Sequence, residues 1–485
     1  MPSPGTERAE DLAAAIGGRL VGPGGVRVND VSHDSRAAAP GVAYVAIRGF
    51  TRDGHRFVDE VVRAGSPLVI VERRLDVDVT QIVVGDSRAA LGPAAAFVHG
   101  HPSRSMSVVG VTGTNGKTSV TAMLASIARA AGRTPGVIGT LGVGIGDEQL
   151  EGERTTPEAS DFQRLLATMR DRSVDIVAAE VSSHALALGR VEGTRFAIGA
   201  FTNLTQDHLD FHGVMEAYFR SKASLFDTRR TERAVVWTDD SWGERLSAEV
   251  GIPVTTVGID SPADVRGAIR SADLGGSTLE LALPGSGPLV VRVPIPGRFS
   301  VANAMVAAAC ARLIDIEPAE VVVGLEATPP IPGRFEVVSA GPVAVVVDYS
   351  HTPAGIEAAI ATARPLTAGR VIAVLGAGGD RDRDKRPVMG AAASAADLVV
   401  VTSDNPRSEP PAAIMASVST GVTAPHIEIV DRRAAIHHAV KSARPGDTVL
   451  VMGKGHETYQ ETAEGKVAFD DRQVSREALA GRDPG

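Results

Sequence analysis

Short runs of β-branched and aliphatic residues recur along the chain, each closed by glycine, proline or an acid. Between most of them lie stretches whose apolar positions return every three or four residues. Runs of the first kind predict buried strands and stretches of the second predict helices, so the chain reads as α/β. The pattern changes character twice. Up to about residue 105, VAYVAIRG, PLVIVE and QIVVGD are strand-like pieces among glycine and proline, closing at HGHPSRS. From Ser107 to about Pro330, SVVGVTG, a helix from Lys117, DIVAAEVSS, FAIGAFTNL, AVVWTDD and PVTTVGI alternate as the βαβ units of a parallel sheet. A less regular β-rich insert, STLELALPGSGPLVVRVPIPG, interrupts that sheet before a helix at Val301, and PPIPGRFE forms a proline-rich joint near Pro332. Beyond it, VAVVVDY, RVIAVLGA, ADLVVVTS and DTVLVMG predict a second doubly wound, Rossmann-like unit. Three domains are expected, over residues 1–105, 106–332 and 333–485.

Composition narrows the setting. The 485 residues, 44% hydrophobic, suffice for several cores. A net charge of -9 and dispersed basic residues argue against a nucleic-acid partner. No apolar run reaches the ~18 residues of a membrane span, and the opening MPSPGTERAED lacks a signal peptide's basic start and apolar core. The cytoplasm is therefore expected. The single cysteine, Cys310, lies in the apolar helix pattern ANAMVAAACARLI and reads as a packed thiol.

The strongest chemical signal is SVVGVTGTNGKTSVTAML. A strand runs into Gly113, Thr114, Asn115, Gly116, Lys117, Thr118 and Ser119 and a helix begins there, so backbone N–H groups and the positive helix end converge where a phosphate would sit. Lys117 would bridge phosphates and Thr118 would bind Mg²⁺. Val111 stands where the general phosphate-loop pattern has glycine, and a glycine turn before a helix can be purely structural. Downstream, Glu180 with Ser182, Ser183 and His184, and then Asp207, His208, Asp210 and His212, fall at strand ends. Carboxylate and imidazole beside a triphosphate suggest metal ligands, although any one of these histidines could be a hydrogen-bonded structural residue.

A second loop, VVVTSDNPRSEPP, leaves a buried strand through Asp404, Asn405, Pro406 and Arg407. Asp404 can accept from an ammonium, Asn405 can donate and accept, and Arg407 offers a planar fork to a carboxylate; together they suit a zwitterion. The alternative is a turn whose acid caps the next helix.

GTNGKT, EVSSHAL, TNLTQDHLDFHG, YFRSKASLF, PGRFE, DYSHTP, GAGGDRDRDKRPVM, DNPR and MGKGHETYQ occur in the order seen in the Mur ligases, and the chain resembles that family over nearly its whole length. The resemblance is strongest to members that add 2,6-diaminopimelate to UDP-N-acetylmuramoyl-L-alanyl-D-glutamate. It implies an N-terminal uridine-nucleotide domain, a central phosphate-loop ATPase and a C-terminal Rossmann-like domain that binds the amino acid. It further implies ATP, two Mg²⁺ ions and CO₂, the last carbamylating Lys222 to N6-carboxylysine. Lys117, Glu180, His208 and Lys222 would be catalytic, and Thr118, Glu180, His208 and carbamylated Lys222 would be metal ligands. Carbamylation converts a cation that would repel Mg²⁺ into an anion. By the same resemblance Asn303, Arg334, Asp348 and His351 contact ATP, and Ser35, Thr155, Thr156, Ser183 and Arg190 contact the uridine nucleotide and peptide. Arg381, Asp404, Asn405, Arg407, Gly453 and Glu457 would hold diaminopimelate, with Arg407 reading its distal carboxylate and the acids facing its distal ammonium. A monomer is expected.

Ser300, Ser350 and Ala377 stand where the family usually has asparagine, alanine and cysteine; none is a proposed metal or phosphate ligand. The resemblance implies phosphorylation of the D-glutamate side-chain carboxylate by ATP and attack of the diaminopimelate amine on the acyl phosphate. A lysine-adding relative, a folylpolyglutamate synthase-like ligase and a nucleotide-operated binding protein are the alternatives, separated by which substrates phosphate release requires.

Overall fold

The computed structural model describes residues 6–49, 52–152 and 154–482. Residues 1–5, where the stretch read as lacking a leader begins, lie outside the described residues.

The N-terminal sheet has five strands in the order Arg19–Val21, Thr80–Val83, Leu68–Val71, Val42–Val45, Asp30–Ser32. The first pairing is antiparallel and the others are parallel. Every side chain of Leu68–Val71 is buried, as expected of a parallel strand covered on both faces.

The central sheet has eleven strands. Its parallel core runs from Pro135–Gly139 through Ile176–Glu180, Ser107–Thr112, Phe196–Phe201, Thr231–Trp237 and Val254–Gly258 to Val265–Asp273. Antiparallel strands extend both edges: Gly142–Ile145 and Glu148–Leu150 on one side, Gly276–Ala282 and Leu289–Val293 on the other. The β-rich insert thus continues the sheet where the sequence suggested an interruption. Val265–Asp273 escaped the sequence pattern because only Val265 is buried, so the strand carries no apolar alternation. The next helix is Arg298–Leu313, beginning ahead of the expected Val301; Gly297 supplies a left-handed φ of 102° before it.

The C-terminal sheet orders Glu336–Ala340, Ala344–Asp348, Thr448–Met452, Val371–Leu375, Leu398–Val401 and His426–Glu428. Only the first pairing is antiparallel. Ala344–Asp348, Thr448–Met452 and Val371–Leu375 are buried throughout, so their carboxyl ends deliver loops to one rim, where open α/β sheets bind ligands. A single apolar cluster joins the central helix at Met305 and Cys310 to Phe335, Ile356, Leu450 and Met452. The central and C-terminal sheets therefore share a core across the joint. Among the described residues no helix is long and apolar enough to cross a membrane.

Candidate active site

Ser107–Thr112 lies in the middle of the central sheet, and the loop from its carboxyl end enters helix Lys117–Ala130. Two glycines permit the turn. A Cβ on Gly113 would meet Thr202 Oγ1 at 1.9 Å, and Gly116 has φ 90° with Asn303 Oδ1 2.3 Å from where its Cβ would be. The loop is braced from the next strand: Thr114 N donates to Asn203 O at 2.9 Å and Asn115 N to Asn203 Oδ1 at 3.0 Å. The Lys117 ammonium folds back onto the carbonyls of Gly113 and Thr114, 2.9 Å from each. Lys222, from helix Met215–Ala223, reaches the same Gly113 oxygen at 2.8 Å. Burial depresses the pKa of both lysines, and for Lys222 the neighbouring Lys117 charge pushes further down, favouring a neutral amine.

Glu180 ends the adjoining strand, fully buried, with its carboxylate held by Thr140 N at 2.9 Å and Thr140 Oγ1 at 3.1 Å. His208 opens the short turn Leu209–His212 with φ 54°; burial pushes its imidazole down to about 3, so it is a neutral donor of a lone pair. Beside it Asp207 sits within 3.4 Å of His208, 3.7 Å of His351 and 3.6 Å of Lys385. Burial opposes its charge, yet the bond from His351 and the Lys385 ammonium hold the Asp207 carboxyl far below the usual carboxylate range. Asp207 thus joins the central unit to the C-terminal loop of His351 and to the start of helix Lys385–Ala393, a role its place in TNLTQDHLDFHG did not reveal. His351, expected on ATP, lies against Asp207, with Nδ1 2.9 Å from Tyr349 O.

Among the described residues no group of three or more His, Cys, Asp or Glu is placed to hold a metal ion. The expected set of Thr118, Glu180, His208 and Lys222 draws only two ligands from those types. The hard oxygen donors and neutral imidazole suit a divalent cation, while the Lys117 ammonium on Gly113 O opposes one and the Lys222 amine beside it adds no negative charge. By donor type the set would suit Mg²⁺ if Lys222 carried a carboxylate, with the Arg334 bond to Thr118 Oγ1 given up to the ion.

A cavity of about 660 Å³ opens beside the phosphate loop, lined by Asn115, Ser119, Trp237, Asn303, Arg334 and Tyr349 among others. Its walls come from both the central and C-terminal units. Arg334 closes one side: Nη2 donates to Thr118 Oγ1 at 3.0 Å and the guanidinium lies 4.5 Å from the Tyr349 ring centroid. Arg334 Nε is buried without a hydrogen-bond partner among the described residues. Asp348, also in the lining, accepts from Phe335 N at 2.7 Å and Ser350 N at 2.8 Å, fixing the loop after its strand.

On the C-terminal rim, the loop after Leu398–Val401 meets the one after Thr448–Met452. Asp404 and Asn405 are buried, and Gly453 is required because a Cβ there would stand 2.5 Å from Asp404 Oδ2. The fully buried Lys454 ammonium lies 2.9 Å from both Asn405 Oδ1 and Glu457 Oε2 and 3.7 Å from Asp404 Oδ1. The acids expected to face a substrate ammonium already share one protein ammonium, which leaves one negative charge in excess. Nothing in the sequence of MGKGHE marked Lys454 for this place. Arg407 and Arg381 flank Gly378, with Arg407 Nη1 and Arg381 Cγ 3.1 and 3.7 Å from where its Cβ would be. Arg407 is ion-paired with Glu461 at 2.8 Å.

Thr155 and Thr156 meet the end of the Glu180 strand: Thr155 Oγ1 lies 3.0 Å from Thr140 Oγ1 and Thr156 Oγ1 donates to Glu180 O at 2.8 Å. Arg190 bonds Thr156 O at 3.3 Å and pairs with the buried Glu158 at 2.9 Å, which Arg88 of the N-terminal unit approaches at 3.5 Å. Ser183 Oγ lies 3.0 Å from His212 Nε2. Ser35, in the N-terminal turn Ser35–Ala37, shares no hydrogen bond with these residues.

The Mur ligase middle domain matches residues 111–311, and the Mur ligase, glutamate ligase domain matches residues 333–455. A UDP-N-acetylmuramoyl-L-alanyl-D-glutamate–2,6-diaminopimelate ligase of Streptomyces avermitilis is 41% identical, the alignment covering 99% of each chain. The enzyme of the same name from Syntrophomonas wolfei is 42% identical over 95% of this chain and 96% of its own. A solved structure of a ligase so named superposes with a TM-score of 0.72 at 30% identity, covering 98% of this chain and 99% of that one.

Proposed function

Since the chain belongs to the Mur ligase family, we propose that it is an ATP-dependent amide ligase joining 2,6-diaminopimelate to the D-glutamate of UDP-N-acetylmuramoyl-L-alanyl-D-glutamate, a step of peptidoglycan precursor synthesis. The observation that carries the reading is the bond from Arg334 to Thr118, which closes a cavity between the phosphate loop and the C-terminal rim. Residues 1–105 are assigned to the uridine nucleotide, 106–332 to ATP and 333–485 to the amino acid. Ser35, Thr155, Thr156, Ser183 and Arg190 are assigned to the acceptor; Arg381, Asp404, Asn405, Arg407, Gly453 and Glu457 to diaminopimelate. The cytoplasm, where ATP is made, is the proposed setting.

The chain's own groups divide the work. The phosphate loop, Lys117 and Arg334 neutralise and align the triphosphate, which lets one anion, the D-glutamate carboxylate, attack another. Thr118, Glu180, His208 and the carbamate of Lys222 would hold Mg²⁺, which would supply further charge neutralisation. The low pKa of Lys222 supports its carbamylation, because only the neutral amine adds CO₂. The rim holds the incoming amino acid while the closed joint keeps water from the acyl phosphate. Arg407 supports diaminopimelate over lysine as the amino acid, since lysine lacks the second carboxylate.

Phosphate release measured across a matrix of acceptor dipeptide and amino acids tests the reading. It is expected only when UDP-N-acetylmuramoyl-L-alanyl-D-glutamate and diaminopimelate are both present. Full turnover with either one missing would overturn it, and turnover with a folate acceptor would favour a folylpolyglutamate synthase-like ligase.

A further inference from the structure

After the Glu457 loop the chain forms a two-stranded hairpin, Tyr459–Thr462 with Gly465–Ala468, that joins none of the larger sheets. Its first strand instead lies along the loop carrying Asp404 to Arg407. Gln460 Nε2 donates to Asp404 O at 2.5 Å, Glu461 N donates to Asn405 Oδ1 at 2.9 Å, and Arg407 N donates to Glu461 O at 3.0 Å. Asn405 Oδ1 also receives Lys454, so the hairpin and the buried ammonium are bonded through one amide. Arg407 takes a left-handed φ of 50°, uncommon for a residue with a Cβ, and the backbone bond to Glu461 holds it there.

The Glu461 side chain then acts on the guanidinium itself. Its Oε2 accepts from Arg407 Nε at 2.8 Å, and Gly379 O accepts from Nη1 at 2.7 Å. A guanidinium is planar with donors in fixed directions, so two such bonds fix where the remaining Nη2 hydrogens point. Nη2 has no protein partner among the described residues. A carboxylate merely standing in for a ligand would be expected to straddle two guanidinium nitrogens in the bidentate fashion, whereas Glu461 takes Nε alone and leaves the Nη2 end open.

We propose that Glu461 is a positioning residue of the amino-acid site, holding the Arg407 guanidinium side-on so that its Nη2 end meets the distal carboxylate of the incoming diaminopimelate. The inference rests on the diaminopimelate reading given above. It makes the hairpin, which contributes no expected ligand of its own, a determinant of amino-acid affinity.

Initial rates for wild type, Glu461→Ala and Glu461→Gln test it, with KM determined separately for diaminopimelate, ATP and the acceptor. Glu461→Ala is expected to raise the KM for diaminopimelate about tenfold, the scale of one charge-assisted hydrogen bond, with much smaller changes in kcat and the other two KM values. Glu461→Gln keeps an oxygen acceptor on Nε and is expected to recover most of the loss. An unchanged KM for diaminopimelate in Glu461→Ala would overturn the proposal. So would a lower KM, which would mark Glu461 as a competitor for Arg407, or a parallel rise in all three, which would mark the hairpin as structural. Wild-type phosphate release that does not depend on diaminopimelate would instead overturn the underlying reading, before any variant is compared.

Discussion

Two lysine ammonium groups on the carbonyl of Gly113 are an arrangement that burial and mutual repulsion both disfavour. A carbamate on Lys222, as proposed above, would remove the conflict and supply a metal ligand. Lys222→Ala is therefore expected to lose most of the ligase activity and to regain part of it with added short carboxylates such as acetate, read as phosphate release at saturating substrates. A fully active variant would remove Lys222 from the metal site. Arg407 makes the second residue-scale prediction. Its side chain is 22% exposed and already shared with Glu461, so a substrate carboxylate bound there as proposed would gain a charge-assisted bond and not an isolated buried pair. Arg407→Asn is then expected to cost diaminopimelate about 1.5–3 kcal/mol, one to two powers of ten in kcat/KM, while any turnover with lysine stays nearly unchanged. An unaltered ratio between the two amino acids would show the loop to be only a turn.

At the scale of elements, the two loops of the C-terminal rim are tied from below. Arg432, at the start of helix Arg432–Ser442, is fully buried and pairs with Asp471 while donating to Ser403 O and Met452 O, the residues just before Asp404 and Gly453. Arg432→Met would leave a buried carboxylate without its partner, a loss of about 3–5 kcal/mol. The expected outcome is a lower denaturation midpoint, with much of the loss recovered when Asp471→Leu is added; a single change without effect would mean that the pair is dispensable. None of this was legible in the sequence, where Arg432 and Asp471 are ordinary charges at helix starts. The strands that were legible, such as Ala344–Asp348 and Thr448–Met452, are those whose burial on both faces forces an unbroken apolar run. Val265–Asp273 is mostly exposed and the Tyr459–Ala468 hairpin has no buried residue in its strands, so neither leaves such a mark. For the site, the sequence names GTNGKT and DNPR by residue type, but that Lys117 and Lys222 share an oxygen, or that Lys454 sits among the acids, depends on packing between residues far apart in the chain.

For the whole molecule, the cavity beside the phosphate loop and the shared apolar cluster make the central and C-terminal units one stability problem. A ligand bound across the joint should stabilise both: at about a hundred times its Kd it contributes about 2.7 kcal/mol. Hydrogen exchange with a non-hydrolysable ATP analogue is expected to show protection rising on both cavity walls, around Asn303 and around Tyr349, with the five-stranded N-terminal sheet little changed. Protection confined to the phosphate-loop side would mean that the nucleotide does not bridge the units.

The bond that closes the cavity spans 216 residues, from Thr118 to Arg334. During synthesis the phosphate loop therefore leaves the ribosome well before the arginine that completes it. At about 5–20 residues per second the interval is about 10–40 s. Through that interval the nascent central unit presents a glycine-rich turn and an uncovered apolar face without the chain that will cover either. Premature termination or a pause before Arg334 would leave a half-site able to grip a triphosphate on one side only, with hydrophobic surface open to chaperones. The order of synthesis thus sets when the molecule can first enclose its nucleotide.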